Sequence, residues 1–143
     1  MLIVPVLIIL ALDQLSKFIV IKNLNANQSI PIIKGLLYVT FVRNRGAAFG
    51  ILKNQLPLFI FTALFAVVLI FLVISKKKER PLILNISLGL ILAGAIGNLI
   101  DRLFLGYVVD FIDFRIWPVF NVADSAITIG AVLLGWSILK HAS

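Results

Sequence analysis

LPLFIFTALFAVVLIFLVISKKKERPLILNISLGLILAGAIGNLIDR, residues 56–102, reads as two apolar runs joined by the polar hinge SKKKERP. The runs, at about 56–74 and 82–100, contain no charged residue, and each approaches the ~20 residues that a helix needs to cross ~30 Å of hydrocarbon. Two such runs with a basic hinge between them predict a membrane hairpin that enters and leaves on one side. Working outward, similar runs at about 2–22 and 121–139 predict two further spans.

Composition agrees with this reading. Of the 143 residues, 62% are hydrophobic and 13% charged, and the mean hydropathy of +1.14 lies far outside the range of a soluble domain. The expected fold is an all-α membrane protein of four transmembrane helices, a single domain over 1–143. The first charge is Asp13, in mid-run. A cleaved secretory signal would instead begin with a basic region, so the first run is expected to remain as an anchor.

Lys and Arg in short loops are retained on the cytoplasmic side. Lys76, Lys77, Lys78 and Arg80 in the hinge, with Lys140 and His141 after the last run, therefore place the hinge and both termini in the cytoplasm. Segments 23–55 and 101–120 are then extracytoplasmic, although Lys34, Arg43, Arg45 and Lys53 in the first of them oppose the asymmetry. The net charge of +7 is accounted for by this topological signal and by attraction to anionic phospholipids of the membrane. No nucleic-acid-binding motif is present, and no nucleic-acid partner is expected.

Within 23–55, SIPII at 29–33 and LLYVTFV at 36–42 are β-rich runs separated by Lys34-Gly35, which predicts a small β-hairpin or sheet platform at the headgroup level. Gly89, Ala93 and Gly97 form a small-residue seam that lets helices approach in lipid. Trp117 and Trp136 are candidate anchors at the outer and inner interfaces.

The acidic residues carry the functional signal. Of six, Asp101, Asp110, Asp113 and Asp124 gather at the outward ends of the third and fourth runs, Asp13 lies within the first and Glu79 in the hinge. NLIDR at 98–102 and NVADS at 121–125 each set an Asn three residues before an Asp, on one helix face. A carboxylate at a membrane boundary costs several kcal/mol unless partnered, which makes it a functional candidate. Asp113, beside Arg115, reads more simply as an interfacial loop residue. Asp13 and Lys17, spaced i,i+4, read as an internal ion pair with a structural role.

Several chemistries are excluded or disfavoured. The chain has no Cys, and its one His, His141, is placed at the cytoplasmic end, so thiol catalysis and a Ser-His-Asp triad are ruled out and zinc is disfavoured. The aspartates lack the dense loop spacing of a Ca²⁺ or Mg²⁺ site, and no metal or cofactor is expected. Two aspartates sharing a proton remain, able to activate water while the protonated partner donates to a carbonyl. The repeated Asn-x-x-Asp would pair Asp101 with Asp124. Asp101, however, adjoins Arg102 and is near Asn98, which would hold it ionised. Asp110 lies between Val109 and Phe111, where desolvation favours a shared proton. The residues alone lean slightly towards Asp110 with Asp124 and leave the other pair open.

The blocks DQLSK at 13–17, NRGAAFGIL at 44–52, GAIGNLIDR at 94–102, VVDFID at 108–113 and FNVADS at 120–125 resemble the lipoprotein signal peptidase (signal peptidase II) family, in order and along nearly the whole chain. The resemblance implies an aspartic endopeptidase of the bacterial inner membrane that removes the signal peptide from a diacylglyceryl-modified prolipoprotein, just before the lipidated Cys. It gives Asp110 and Asp124 the catalytic role and Asp101 with Arg102 a supporting one. Asn44 opens a block where Gly46, Ala47, Ala48 and Gly50 permit close approach of a helix or a lipid, with a simple turn as the rival account, and the resemblance implies Asn44 and Gly46 on the substrate side. Asn98, Arg102 and Asn121 are expected to orient the dyad and the peptide, with helix capping as the rival account of either Asn. The protein is expected to act as a monomer. A proton-coupled transporter or a structural membrane subunit would explain a carboxylate in a span or a small-residue seam. Neither explains the outward cluster of aspartates.

Overall fold

A computed structural model describes residues 3–47, 51–76 and 79–142, with side chains in the last helix described as far as Lys140. Leu2, Ala48, Gly50, Lys77 and Lys78 of the sequence reading, and the His141 side chain, lie outside the described residues. The elements run α1 (Ile3–Asn23), β1 (Ser29–Ile33), β2 (Leu37–Asn44), α2 (Leu56–Lys76), α3 (Leu82–Phe104), β3 (Val108–Asp113) and α4 (Val122–Ala142).

All four helices are long and apolar enough to cross a membrane. Helices satisfy their own backbone groups, as a lipid-facing segment must. Their starts follow sequence rules: Pro5 and Pro57 fall in the first turns of α1 and α2, and Pro81 caps α3 with φ −52° and ψ 143°. The spans run slightly past the expected ends, and the largest change is in α3, which continues to Phe104. Asp101 and Arg102 are therefore helical residues rather than the start of an extracytoplasmic loop.

α3 is the central helix, packing on α4, α1 and α2. α2 packs mainly on α3 and buries none of its most apolar window within the protein. The small-residue seam is real and wider than Gly89, Ala93 and Gly97. Ala93 is fully buried, and Gly94 lies against the backbone of Ala123. A Cβ on Gly97 would come within 2.5 Å of the Asp13 carboxylate, and one on Gly130 within 2.8 Å of the Ser87 carbonyl. The seam thus brings α1, α3 and α4 together around Asp13.

The expected hairpin is β1 and β2, paired antiparallel with Ser29 opposite Thr40. The sheet also has a third strand, β3, antiparallel to β2 with Asn44 opposite Val108 and Val42 opposite Asp110. Sequence reasoning saw VVDFID only as a carrier of carboxylates, because its partner strand is separated from it by two spans and no local turn announces the pairing. Beneath the sheet, Phe41, Val109 and Phe111 form a core with Val20 and Leu24, which joins the sheet to the end of α1. The chain after β3 doubles back: Ile112 and Phe120 exchange backbone hydrogen bonds of 2.8 and 3.1 Å. That return delivers Asn121 and the start of α4 to the side of β3.

Candidate active site

The local fold of α4 explains the first carboxylate. Asn121 and Asp124 form a reciprocal cap: the Asp124 N–H donates to Asn121 Oδ1 at 2.8 Å, and the Asn121 N–H donates to Asp124 Oδ2 at 3.2 Å. The cap reading of Asn121 is therefore correct, and it does not exhaust the residue. The buried Asn121 amide also donates to Asp110 Oδ1 at 2.8 Å, to Asn98 Oδ1 at 3.0 Å and to the Val109 carbonyl at 3.2 Å. One side chain thus ties the start of α4 to β3 and α3. Asn98 is not a cap; its amide donates to Asp124 Oδ1 at 2.8 Å from nearly two turns before the end of α3.

Asp110, 2% exposed on β3, has both oxygens occupied. Oδ1 accepts from Asn121, and Oδ2 accepts from the Asn44 amide at 2.9 Å. The Asn44 amide is in turn oriented by the Gly46 N–H, which donates to Asn44 Oδ1 at 2.9 Å. Gly46 is buried, and a Cβ there would lie 2.9 Å from the Ile51 carbonyl, so what approaches it closely is the chain's own turn, closed by the Ala47 N–H to the Ile51 carbonyl, rather than a helix or a lipid. Burial, and after it the neighbouring Asp124 carboxylate, push the Asp110 carboxyl up to about 7.

Asp110 and Asp124 line one cavity of about 310 Å³ together with Asn44, Asn98 and Arg102. Arg102 also places its guanidinium 5.2 Å from the centre of the Phe59 ring. A second, more apolar cavity of about 460 Å³ adjoins Asp124 and is walled by Phe114, Trp117 and Phe120. A third space of about 320 Å³ opens between α2, α3 and α4 and reaches Asn98 and Asp124. All three spaces touch Asp124, and Asp110 lines the first of them.

Asp101 does not line the 310 Å³ cavity. It is 3% exposed, and its Oδ2 takes an ion pair from Lys17 at 3.0 Å and the Val109 N–H at 3.0 Å. The cation that holds it is therefore Lys17, and the adjacent Arg102 turns to the cavity. This clamp fixes the residue before Asp110. The expected Asp13–Lys17 pair is present at 2.8 Å, and Asp13 also reaches the start of α4. Its Oδ1 accepts the Ala123 N–H at 2.9 Å, in the first turn of α4 and next to Asp124. Lys17 also donates to Asn98 Oδ1 at 3.0 Å.

Asp113 corrects the loop reading. It ends β3, is 5% exposed, and accepts from Thr40 Oγ1 at 2.6 Å as well as pairing with Arg115 at 3.4 Å. Sequence reasoning missed Gln14, whose amide donates to Asp13, to the Gly97 carbonyl and to Asp101 at 3.1, 3.2 and 3.2 Å. Its signal was available: a polar residue beside Asp13 in an otherwise apolar span.

Residues 5–140 match the family model described as signal peptidase (SPase) II. The chain belongs to the signal peptidase II family. It is 49% identical to the lipoprotein signal peptidase of Moorella thermoacetica, with 95% of this chain and 91% of that one covered. To the lipoprotein signal peptidase of Halothermothrix orenii it is 52% identical, with 92% and 90% covered. Two solved structures of a bacterial membrane enzyme, obtained by the in meso method, have the same fold. One matches with a TM-score of 0.93 at 34% identity, covering 99% of this chain and 89% of its own. The other matches at 0.89 and 34%, covering 97% and 92%. The chain is thus a multi-pass membrane peptidase of that family, as the blocks and spans led one to expect.

Proposed function

We propose that the protein cleaves the signal peptide from diacylglyceryl-modified prolipoproteins immediately before the lipidated Cys, at the outer leaflet of the bacterial inner membrane, with Asp110 and Asp124 as the catalytic pair. The observation that carries this reading is Asn121, which bridges both carboxylates while capping the helix that bears one of them. Asp110 holds the shared proton and donates it to the scissile carbonyl. Asp124 takes a proton from the water that attacks the carbonyl carbon and later delivers it to the leaving nitrogen as the C–N bond breaks, while Asp110 takes a hydroxyl proton back from the diol as the carbonyl re-forms. Asn44 and Asn98 hold the outer oxygens of the pair, and Arg102 lines the space the peptide would occupy. Asp101, Asp13 and Lys17 act as positioning residues. The aromatic-walled cavity beside Asp124 suits an acyl chain, and the space between α2, α3 and α4 suits an apolar signal-peptide helix.

Lipid anchoring then supplies remote binding energy that aligns the scissile bond. With purified enzyme, an unlipidated precursor is expected to show kcat/KM at least about 100-fold below the diacylglyceryl form. Equal turnover would remove lipid recognition from the reading, and no turnover of either would remove the function.

The orientation follows from the basic hinge. A reporter fused after residue 78 is expected to be active only in a cytoplasmic assay, and one inserted at Asn27 only in an external one. Reversed signals would put the dyad on the wrong side of the membrane for this substrate.

A further inference from the structure

Adjoining the catalytic cavity is another of about 320 Å³ that shares Asn44, Gly46, Ala47, Asp110, Pro118 and Val119 with it. Its remaining walls are Val42 and Arg43 of β2, Arg45 and Lys53, and among the described residues none of a spanning helix lines it. Three cations, Arg43, Arg45 and Lys53, border it. Among the described residues Asp110 is its one acidic residue, already engaged by Asn44 and Asn121.

The cations are held in place. The Asn54 N–H donates to the Arg45 carbonyl at 3.0 Å and the Ala47 N–H to the Ile51 carbonyl at 2.9 Å, which folds Lys53 back beside Arg45. Arg43 lies 5.4 Å from the Tyr107 ring centre. Among the described residues none of the three forms an ion pair, and all three are exposed. They are also among the residues that oppose the positive-inside pattern. A concentration of unpaired positive charge at one mouth of a reactive cavity raises the local concentration of anionic groups there.

Direction decides which part of a substrate meets them. A peptide whose apolar helix lies between α2, α3 and α4 reaches Asp124 from the membrane side, and after passing Asp110 its way into water is the mouth bordered by β2. We infer that this mouth receives the first residues of the mature chain, on the far side of the scissile bond, and that Arg43, Arg45 and Lys53 select acidic over basic side chains there. The inference rests on the proposed function and adds a specificity-determining subsite to it.

The test uses the full-length enzyme in neutral detergent and two diacylglyceryl-modified peptides that differ only in carrying Asp or Lys at the second and third positions after the lipidated Cys. In the wild type, kcat/KM is expected to favour the Asp peptide on the order of tenfold, and less at high salt. In Arg45→Gln/Lys53→Gln the ratio should fall to within about twofold, and in Arg45→Glu/Lys53→Glu it should invert. Because the readout is a ratio within one preparation, lost folded yield cancels. A wild-type ratio of one, or a ratio unchanged in both double variants, overturns the subsite. A ratio of one combined with a rate that rises with anionic phospholipid and loses that rise in Arg45→Gln/Lys53→Gln reassigns the cations to lipid headgroups, and also overturns it. Cleavage of neither peptide by the wild type would instead overturn the proposed function.

Discussion

Asp110→Asn is expected to lose peptide hydrolysis by at least about 10³-fold while becoming, relative to wild type, progressively more stable as pH rises. The Asp110 carboxyl is held at about 7, against an ordinary 3.8, by burial first and by the Asp124 charge second. A carboxyl raised in the folded state contributes stability that is full below about 4 and is lost as pH climbs through 7. Asn does not ionise, so the variant escapes that loss. Against it, one of the donors from Asn44 and Asn121 now faces an amide nitrogen, a penalty of about 1–3 kcal/mol that does not change with pH. The stability gap between variant and wild type should therefore move in the variant's favour by about 2–3 kcal/mol between roughly pH 5 and pH 8. Thermal unfolding in detergent at the two values measures it. A pH-independent gap would mean that Asp110 is ionised throughout and holds no proton to share.

Activity provides the second half of this test. A pair that needs one proton gives a bell-shaped rate profile whose limbs belong to both carboxylates. Asp124→Asn should be as inactive as Asp110→Asn, and the double variant no worse than either, because the two act as one unit. Asp101→Asn should be milder, or fail by instability, since it loosens the Lys17 pair and the Val109 N–H clamp. An active Asp110→Asn beside a folded, inactive Asp101→Asn would reinstate the pairing of Asp101 with Asp124.

The spans were legible because hydrocarbon imposes a length and a composition on each one, and local sequence carries both. Asn121 was legible as a cap, but its contact with Asp110 was not, because β3 and α4 meet through a reversal at Phe120 that no tight-turn signature marks. The pairing of β3 with β2 was hidden for the same reason, being non-local. Asp101 was misjudged in its partner as well as in its place at the helix end: adjacency on a helix points neighbouring side chains about 100° apart, so Arg102 could not serve it, whereas Lys17 on a packed helix could. Asp13 is far from Asp124 along the chain but close to it in the fold, which spacing in the sequence does not reveal. Gly97, which admits its carboxylate between α3 and α4, sets the true distance.

Lys17→Met should be the most destabilising single change outside the dyad, by about 3–5 kcal/mol. The side chain is 3% exposed and is the cation for two buried carboxylates, Asp13 at 2.8 Å and Asp101 at 3.0 Å. With Lys17 gone, each keeps only neutral donors: the Ala123 N–H and Gln14 for Asp13, the Val109 N–H and Gln14 for Asp101. Adding Asp101→Asn should recover part of the loss, because one uncompensated charge is removed with the cation; a double variant less stable than Lys17→Met would show that packing, and not charge, explains the effect. Hydrolysis per folded molecule should persist within about tenfold, since Lys17 and Asp13 hydrogen-bond neither Asp110 nor Asp124 and act through Asn98 and Ala123. Charge nevertheless reaches the dyad through space: Lys17 favours the ionised form of Asp110. Its removal should therefore shift the limb of the rate profile that reports Asp110 to higher pH. A profile that stays in place while stability falls would confine Lys17 to holding α1 against α3, and a folded but inactive Lys17→Met would move it into the catalytic machinery itself.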